Sequence, residues 1–270
     1  MTLPIRNSRV KLSQGQLFWR EVGYGTTLVF LHGSWNDGNQ WLPIVEQLGV
    51  DHHCVIPDLL GFGESERPRV HHSIELQVEC LAEHLEFLRL RQVYLIGHSV
   101  GGWLAASYAL QHPDQVKGLV LLAAEGSSVG QVGRRWRWAR WLLSRPPLML
   151  WCLRLLRLFG WRQAIAHSLQ FRQQLLQSPT ACQLLFKRRR AEIQSDYLGD
   201  RISWLKLPIL LLQGEQDKST EAQSNQAYTA APQATLQLTP GIKHDLLSAA
   251  PETVAHQIRD FIQQQEGQQP

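Results

Sequence analysis

Acidic residues are missing from one long stretch of this 270-residue chain: between Gly126 and Ala191 there is no Asp or Glu, against thirteen Lys and Arg. The remainder carries 14 basic and 23 acidic residues, so the net charge of +4 hides a basic segment on an acidic body. Such asymmetry predicts a locally attracted anionic partner. Cysteine is sparse. Cys54, Cys80, Cys152 and Cys182 stand far apart with no C-x-x-C pair, which argues against zinc ligation and a disulfide framework and predicts buried or free thiols. No run of about 18 uninterrupted apolar residues occurs, and Met1 to Leu12 lacks an apolar core. The expectation is neither a secretion signal nor a transmembrane helix, and a cytoplasmic location. Internal repeats are absent too. Gly61 and Gly63 match neither the dinucleotide-binding nor the P-loop spacing, so no nucleotide is implied.

What is present describes a globular protein: 44% hydrophobic and 19% charged residues can bury a large core. Only the Gln-rich tail, Gln263 to Pro270, reads as disordered. Short β-rich runs at Leu17 to Glu21, Thr27 to Leu31, Cys54 to Ile56, Val93 to Ile96, Leu119 to Leu122, Ile209 to Leu212 and Thr235 to Leu238 are the predicted strands. Several are apolar throughout, as strands covered on both faces must be. Helical patterns fill the gaps at Asn39 to Leu48, Ile74 to Leu90, Trp103 to Gln111, Glu221 to Ala230 and Glu252 to Gln264. The alternation predicts an α/β fold with a mostly parallel sheet. It breaks after Ala124 and resumes near Leu207. Residues 126–206 are therefore read as a helical insertion, with 1–125 and 207–270 as the core.

The most informative segment is Val93 to Gly102, in which Gly97-His98-Ser99-Val100-Gly101 is a G-x-S-x-G pattern between a predicted strand and a predicted helix. A serine on so sharp a turn is exposed, and the helix N-terminus behind it offers unpaired N–H groups to a developing oxyanion. Alone, this pattern is also met in a tight turn with a surface serine. Three more segments follow predicted strands: Leu31-His32-Gly33-Ser34, Gly214-Glu215-Gln216-Asp217 and Gly241-Ile242-Lys243-His244. Open α/β sheets build their sites beyond such strand ends.

The chain order Ser99, Asp217, His244, together with the D-x-x-G-x-G-x-S stretch Asp58 to Ser65, resembles the α/β-hydrolase superfamily in its cap-bearing, serine-nucleophile branch. The likeness covers Leu17 to Ala124 and Leu207 to Ile262. It departs at Lys243, where that branch often has Gly before the histidine. The resemblance implies Ser99 as nucleophile, His244 as base and Asp217 as the acid that orients it, with the main-chain N–H groups of Ser34 and Val100 as oxyanion hole. Trp35 and His98 are expected in the substrate pocket. Glu125, after the strand Leu119 to Leu122, is the alternative acid, and Asp217 could instead cap a helix. Asp245 reads as a surface residue, and His32, His98 and His112 as structural. Neighbours such as His52-His53 and His71-His72 point apart on regular structure and are not read as metal ligands. No cofactor or metal is implied.

The insertion opens with Arg134-Arg135-Trp136-Arg137-Trp138-Ala139-Arg140-Trp141, and five of the ten tryptophans lie between Trp136 and Trp161. From Leu148 to Phe159, Leu148, Trp151, Cys152, Leu155 and Phe159 share one apolar face beside Arg154 and Arg157. Two readings remain open: a packed cap with solvated arginines, or peripheral contact with an anionic membrane. Nucleic acid is not expected. The function expected from all this is hydrolysis of ester, thioester or related acyl bonds in a small hydrophobic substrate, through an acyl-enzyme. A carbon–carbon hydrolase, a lyase, an acyltransferase or a non-catalytic scaffold are the alternatives.

Overall fold

The computed structural model describes residues 4–127, 136–144, 162–217, 219–243 and 245–267. Among them, eight strands form one sheet: β1 (Arg6–Lys11), β2 (Gln16–Val22), β3 (Thr26–Leu31), β4 (His52–Asp58), β5 (Val93–His98), β6 (Val116–Leu122), β7 (Ile209–Gly214) and β8 (Ala234–Thr239). Their order is β1-β2-β4-β3-β5-β6-β7-β8. The β1–β2 and β2–β4 pairs are antiparallel, and from β4 onward every pair is parallel.

The inner parallel strands, β3 to β7, are largely apolar on both faces because both faces are covered. Val29, Leu31, Val55, Leu95, Leu119 and Leu211 enter one core with Val78, Leu81 and Leu85 of α2 (Ile74–Phe87) and Leu104 and Tyr108 of α3 (Val100–Gln111). Their chain neighbours Leu28, Phe30, Ile56, Ile96, Val120 and Leu212 point the other way, toward α1 (Leu42–Leu48) and the C-terminal helix. That alternation is the two-residue period of a strand expressed on two buried surfaces.

All seven predicted strands are present. β1 was not foreseen: its sequence RNSRVK is half-exposed and polar, and only pairing with β2, from Arg6 opposite Glu21 to Lys11 opposite Gln16, makes it a strand. The disorder expected from Gln263 is corrected through Gly267, because the last helix continues to that residue. Its inward stripe Val254, Ile258, Phe261 and Ile262 anchors it, and Glu266 accepts a hydrogen bond from Thr26 at the start of β3.

Between β6 and β7 the described residues are helical: α4 (Arg137–Leu142), α5 (Arg162–Gln177), α6 (Pro179–Cys182), a π-helical turn at Gln183–Lys187, and α7 (Arg190–Asp196). The expected Leu148 to Phe159 helix lies outside the described residues. After β7 come α8 (Thr220–Gln226), β8, α9 (Leu246–Ala249) and α10 (Pro251–Gly267). Cys54, Cys80 and Cys182 are buried free thiols, and burial pushes the Cys80 thiol up to about 12 and the Cys182 thiol to about 11. Such groups are not thiolates at neutral pH.

Candidate active site

Ser99 sits between the end of β5 and the start of α3 with φ of +53° and ψ of −116°. A non-glycine residue is strained there, so the surrounding structure must hold it. Four backbone bonds do: the Ser99 N–H donates to the Leu122 carbonyl at 2.9 Å, and the Ser99 carbonyl accepts from Gly102, Trp103 and Glu125 at 3.1 to 3.2 Å. The glycines allow the turn to close. A Cβ on Gly97 would lie 2.5 Å from the Gly101 carbonyl oxygen, and one on Gly101 would collide with the Leu31 carbonyl oxygen. Val100 is the first residue of α3, where an N–H has no intrahelical partner and the helix dipole favours negative charge.

The loop after β3 packs on this turn. A Cβ at Gly33 would stand 2.7 Å from His98 Nδ1 and 3.4 Å from Ser99 Cβ. Ser34, next in the chain, is buried. His32 organises the loop: its Nε2 accepts from the Leu59 N–H at 2.9 Å, which leaves the ring proton on Nδ1, donated to the Gly33 carbonyl at 2.9 Å. Complete burial lowers the His32 pKa and keeps the ring neutral in this bridging role. Gln40 adds a contact that no sequence pattern signals, its Oε1 accepting from the Gly33 N–H at 3.3 Å.

Asp217 follows β7, half-buried, with its N–H on the Gly214 carbonyl at 3.1 Å and its Oδ1 accepting from Ser219 N–H at 2.9 Å. Asp217 and His98 line one cavity with Ala123 and Leu247. The strand ends after β5, β6 and β7 therefore converge, and His244 lies outside the described residues. Glu125 is buried beside the elbow, its N–H on Ser99 and its carbonyl accepting from Tyr228 Oη at 2.6 Å. Asn225, fully buried and unforeseen, ties β6 to β7: its Oδ1 accepts from Ala124 N–H at 3.1 Å and its Nδ2 donates to the Leu212 carbonyl at 3.3 Å.

Asp58 explains its own motif. The carboxylate is wholly buried against Arg20 at 2.8 Å and accepts from the N–H groups of Gly38 and Glu64, each at 2.8 Å, while Ser65 Oγ donates to the Asp58 carbonyl at 2.6 Å. Gly63, at φ of +48°, leaves no room for a Cβ against that carboxylate. The D-x-x-G-x-G-x-S stretch is thus a turn wound around one buried anion. Among the histidine pairs, His52, His53 and His71 each face a carboxylate, Asp51, Glu21 and Glu192, within 3.3 Å.

Trp35, beside Ser34, meets Trp136 at 5.8 Å and Phe171 of α5 at 6.3 Å between ring centroids, and Trp136 stacks on Phe186 at 5.3 Å. An aromatic cluster therefore joins the β3 loop to the helices that follow β6.

A strand-to-helix serine elbow, an apposed glycine loop and a mostly parallel sheet define a class, and residues 26–251 match the family described as alpha/beta hydrolase fold. The chain belongs to that family. It is similar to a 1-acylglycerol-3-phosphate O-acyltransferase of Mus musculus, 37% identical over 126 residues, covering 43% of this chain and 36% of that protein. A 2-hydroxy-6-oxo-2,4-heptadienoate hydrolase of Pseudomonas putida is 36% identical over 115 residues, covering 40% of this chain and 41% of that one. The matched part thus spans less than half of either relative. Among solved structures, a candidate lipase of Acinetobacter baumannii superposes with a TM-score of 0.76 at 22% identity, covering 98% of this chain and 93% of the other. That likeness speaks for the fold.

Proposed function

We propose that the chain is a cofactor-independent serine hydrolase that cleaves ester, thioester or related acyl bonds of a hydrophobic substrate. The observation that carries this reading is Ser99 itself, held at positive φ between β5 and α3 with the Gly33 loop against its Cβ. In the proposed reaction His244 removes the Ser99 proton as Oγ attacks the acyl carbon, and Asp217 orients the imidazole and stabilises the imidazolium. The N–H groups of Val100 and Ser34 receive the oxyanion. His244 then protonates the leaving group, and water enters by the reverse steps to release the acid and free Ser99. The aromatic cluster of Trp35, Trp136, Phe171 and Phe186 supports an apolar substrate, since such rings favour burying hydrocarbon. Residues 126–206 would then act as a helical cap over the site, with Trp35 and His98 in the pocket wall.

The test is hydrolysis of p-nitrophenyl esters of increasing acyl length with the unaltered chain and with Ser99→Ala, alongside labelling by a fluorophosphonate. Turnover and labelling that both vanish in Ser99→Ala support the reading. Absence of labelling in the unaltered chain removes it.

A second reading follows from the Pseudomonas putida relative, whose named substrate is not an ester: carbon–carbon bond hydrolysis by the same serine. Labelling at Ser99 without turnover of any ester would favour it, or an acyltransferase reading of the kind the Mus musculus relative suggests.

A further inference from the structure

We infer that the outward faces of α4 and α5, with the exposed Lys187, Arg189 and Arg190, form a docking surface for an anionic lipid bilayer. α4 is divided by its helical period. Trp136, Ala139 and Leu142 are buried, whereas Arg137, Trp138 and Trp141 face solvent, the two tryptophans 44% and 60% exposed. In α5, Leu175 is buried and Phe171 half-buried, while Leu169 and Leu176, two turns apart, are 45% and 52% exposed. Large apolar side chains left in water on two helices of one insertion mark a surface with a use.

The charge says what covers it. Lys187, Arg189 and Arg190 are exposed soon after α5 in sequence, with Glu192 at 4.0 Å from Arg189, and the whole stretch from Gly126 to Ala191 carries no acidic residue. A protein partner's apolar patch would answer the tryptophans and leucines but not that charge. A nucleic acid would answer the charge but has no use for exposed leucines. Anionic headgroups above acyl chains answer both: tryptophan and leucine sit at the headgroup boundary while Lys and Arg meet the phosphates. Among the described residues no helix is long and apolar enough to cross a membrane. The placement also suits the chemistry proposed above. α4 directs Trp138 and Trp141 outward, and its N-cap Trp136 turns inward onto Trp35, beside Ser34.

The experiment uses the Ser99→Ala chain, so that binding is read without turnover and failure of the hydrolase reading leaves it intact. Co-sedimentation is measured with phosphatidylcholine vesicles containing or lacking phosphatidylserine, at low and high salt. Binding is expected only with phosphatidylserine and is expected to weaken with salt. The Trp138→Ala/Trp141→Ala pair should lower it at least about tenfold, and Arg189→Gln or Arg190→Gln about fivefold for the one charge each removes. These side chains are exposed, and an unchanged far-UV circular dichroism spectrum checks that the variants fold. Equal or negligible binding to both vesicle types overturns the inference. So does binding indifferent to the tryptophan pair, or displacement from vesicles by a short single-stranded oligonucleotide bound equally well by the tryptophan variant.

Discussion

Gly33 and His98 approach so closely that a methyl group on Gly33 would stand 2.7 Å from His98 Nδ1, inside any normal carbon–nitrogen contact. The loop after β3 is thereby pressed on the elbow. Gly33→Ala should push Ser34 away from Ser99 while leaving the sheet intact. If Ser34 supplies an oxyanion donor, kcat should fall about a hundredfold or more with little change in KM, measured on the best p-nitrophenyl ester. Unaltered kcat would disconnect this loop from catalysis.

Two carboxylates compete for the role of acid. Asp217 lines the cavity shared with His98, whereas Glu125 is buried beside the elbow. Asp217→Asn should lower kcat by about three to four orders of magnitude, and Glu125→Gln by less than about tenfold. The reverse ranking would assign the role to Glu125.

His84 on α2 is fully buried against Trp19, ring centroids 4.9 Å apart, with no hydrogen bond at either ring nitrogen. Burial drives its pKa from 6.5 down to about 4. The unfolded chain accepts a proton near pH 6.5 that the folded chain refuses until about pH 4, so stability falls on acidification across that window and levels off below it. The loss has a ceiling of about 3 kcal/mol. His84→Leu should remove much of that slope and stabilise the fold. Urea unfolding near neutral pH and near about pH 5 checks this; equal pH slopes in the two proteins would contradict it.

Asp58 lies against Arg20 at 2.8 Å, both buried. Asp58→Ala would leave a buried guanidinium and two loop N–H groups without their acceptor, at a cost of about 3 to 5 kcal/mol. Denaturant midpoints at constant m-value measure it. A loss below about 1 kcal/mol would mean that water reaches the turn.

Strands β3 to β7 were legible because each is buried on both faces and so is apolar over most of its length, whereas the edge strand β8 shows only alternate Leu and polar residues. The elbow was legible because so tight a strand-to-helix turn requires the glycines that flank Ser99, where a Cβ would meet backbone. β1 escaped because an edge strand buries too little to be apolar, and α10 ran past the expected end because its glutamines lie beyond a stripe of apolar anchors. Gln40, Asn225 and His84 carried no local signal: Gln40 acts on a loop seven residues back, and Asn225 and His84 on partners in distant segments.

By itself the sequence determined the α/β class, the chain order of the candidate residues Ser99, Asp217 and His244, and the charge asymmetry of the insertion. Periodicity, glycine spacing and composition are local properties that a chain carries before it folds. Tertiary structure decided that Gly33 meets Ser99, that Asp58 is an anion enclosed by a turn, and that Trp138 and Trp141 face water while Trp136 faces the site loop. Those facts depend on which distant segments exclude water from a side chain, and exclusion of water belongs to the packed assembly of elements.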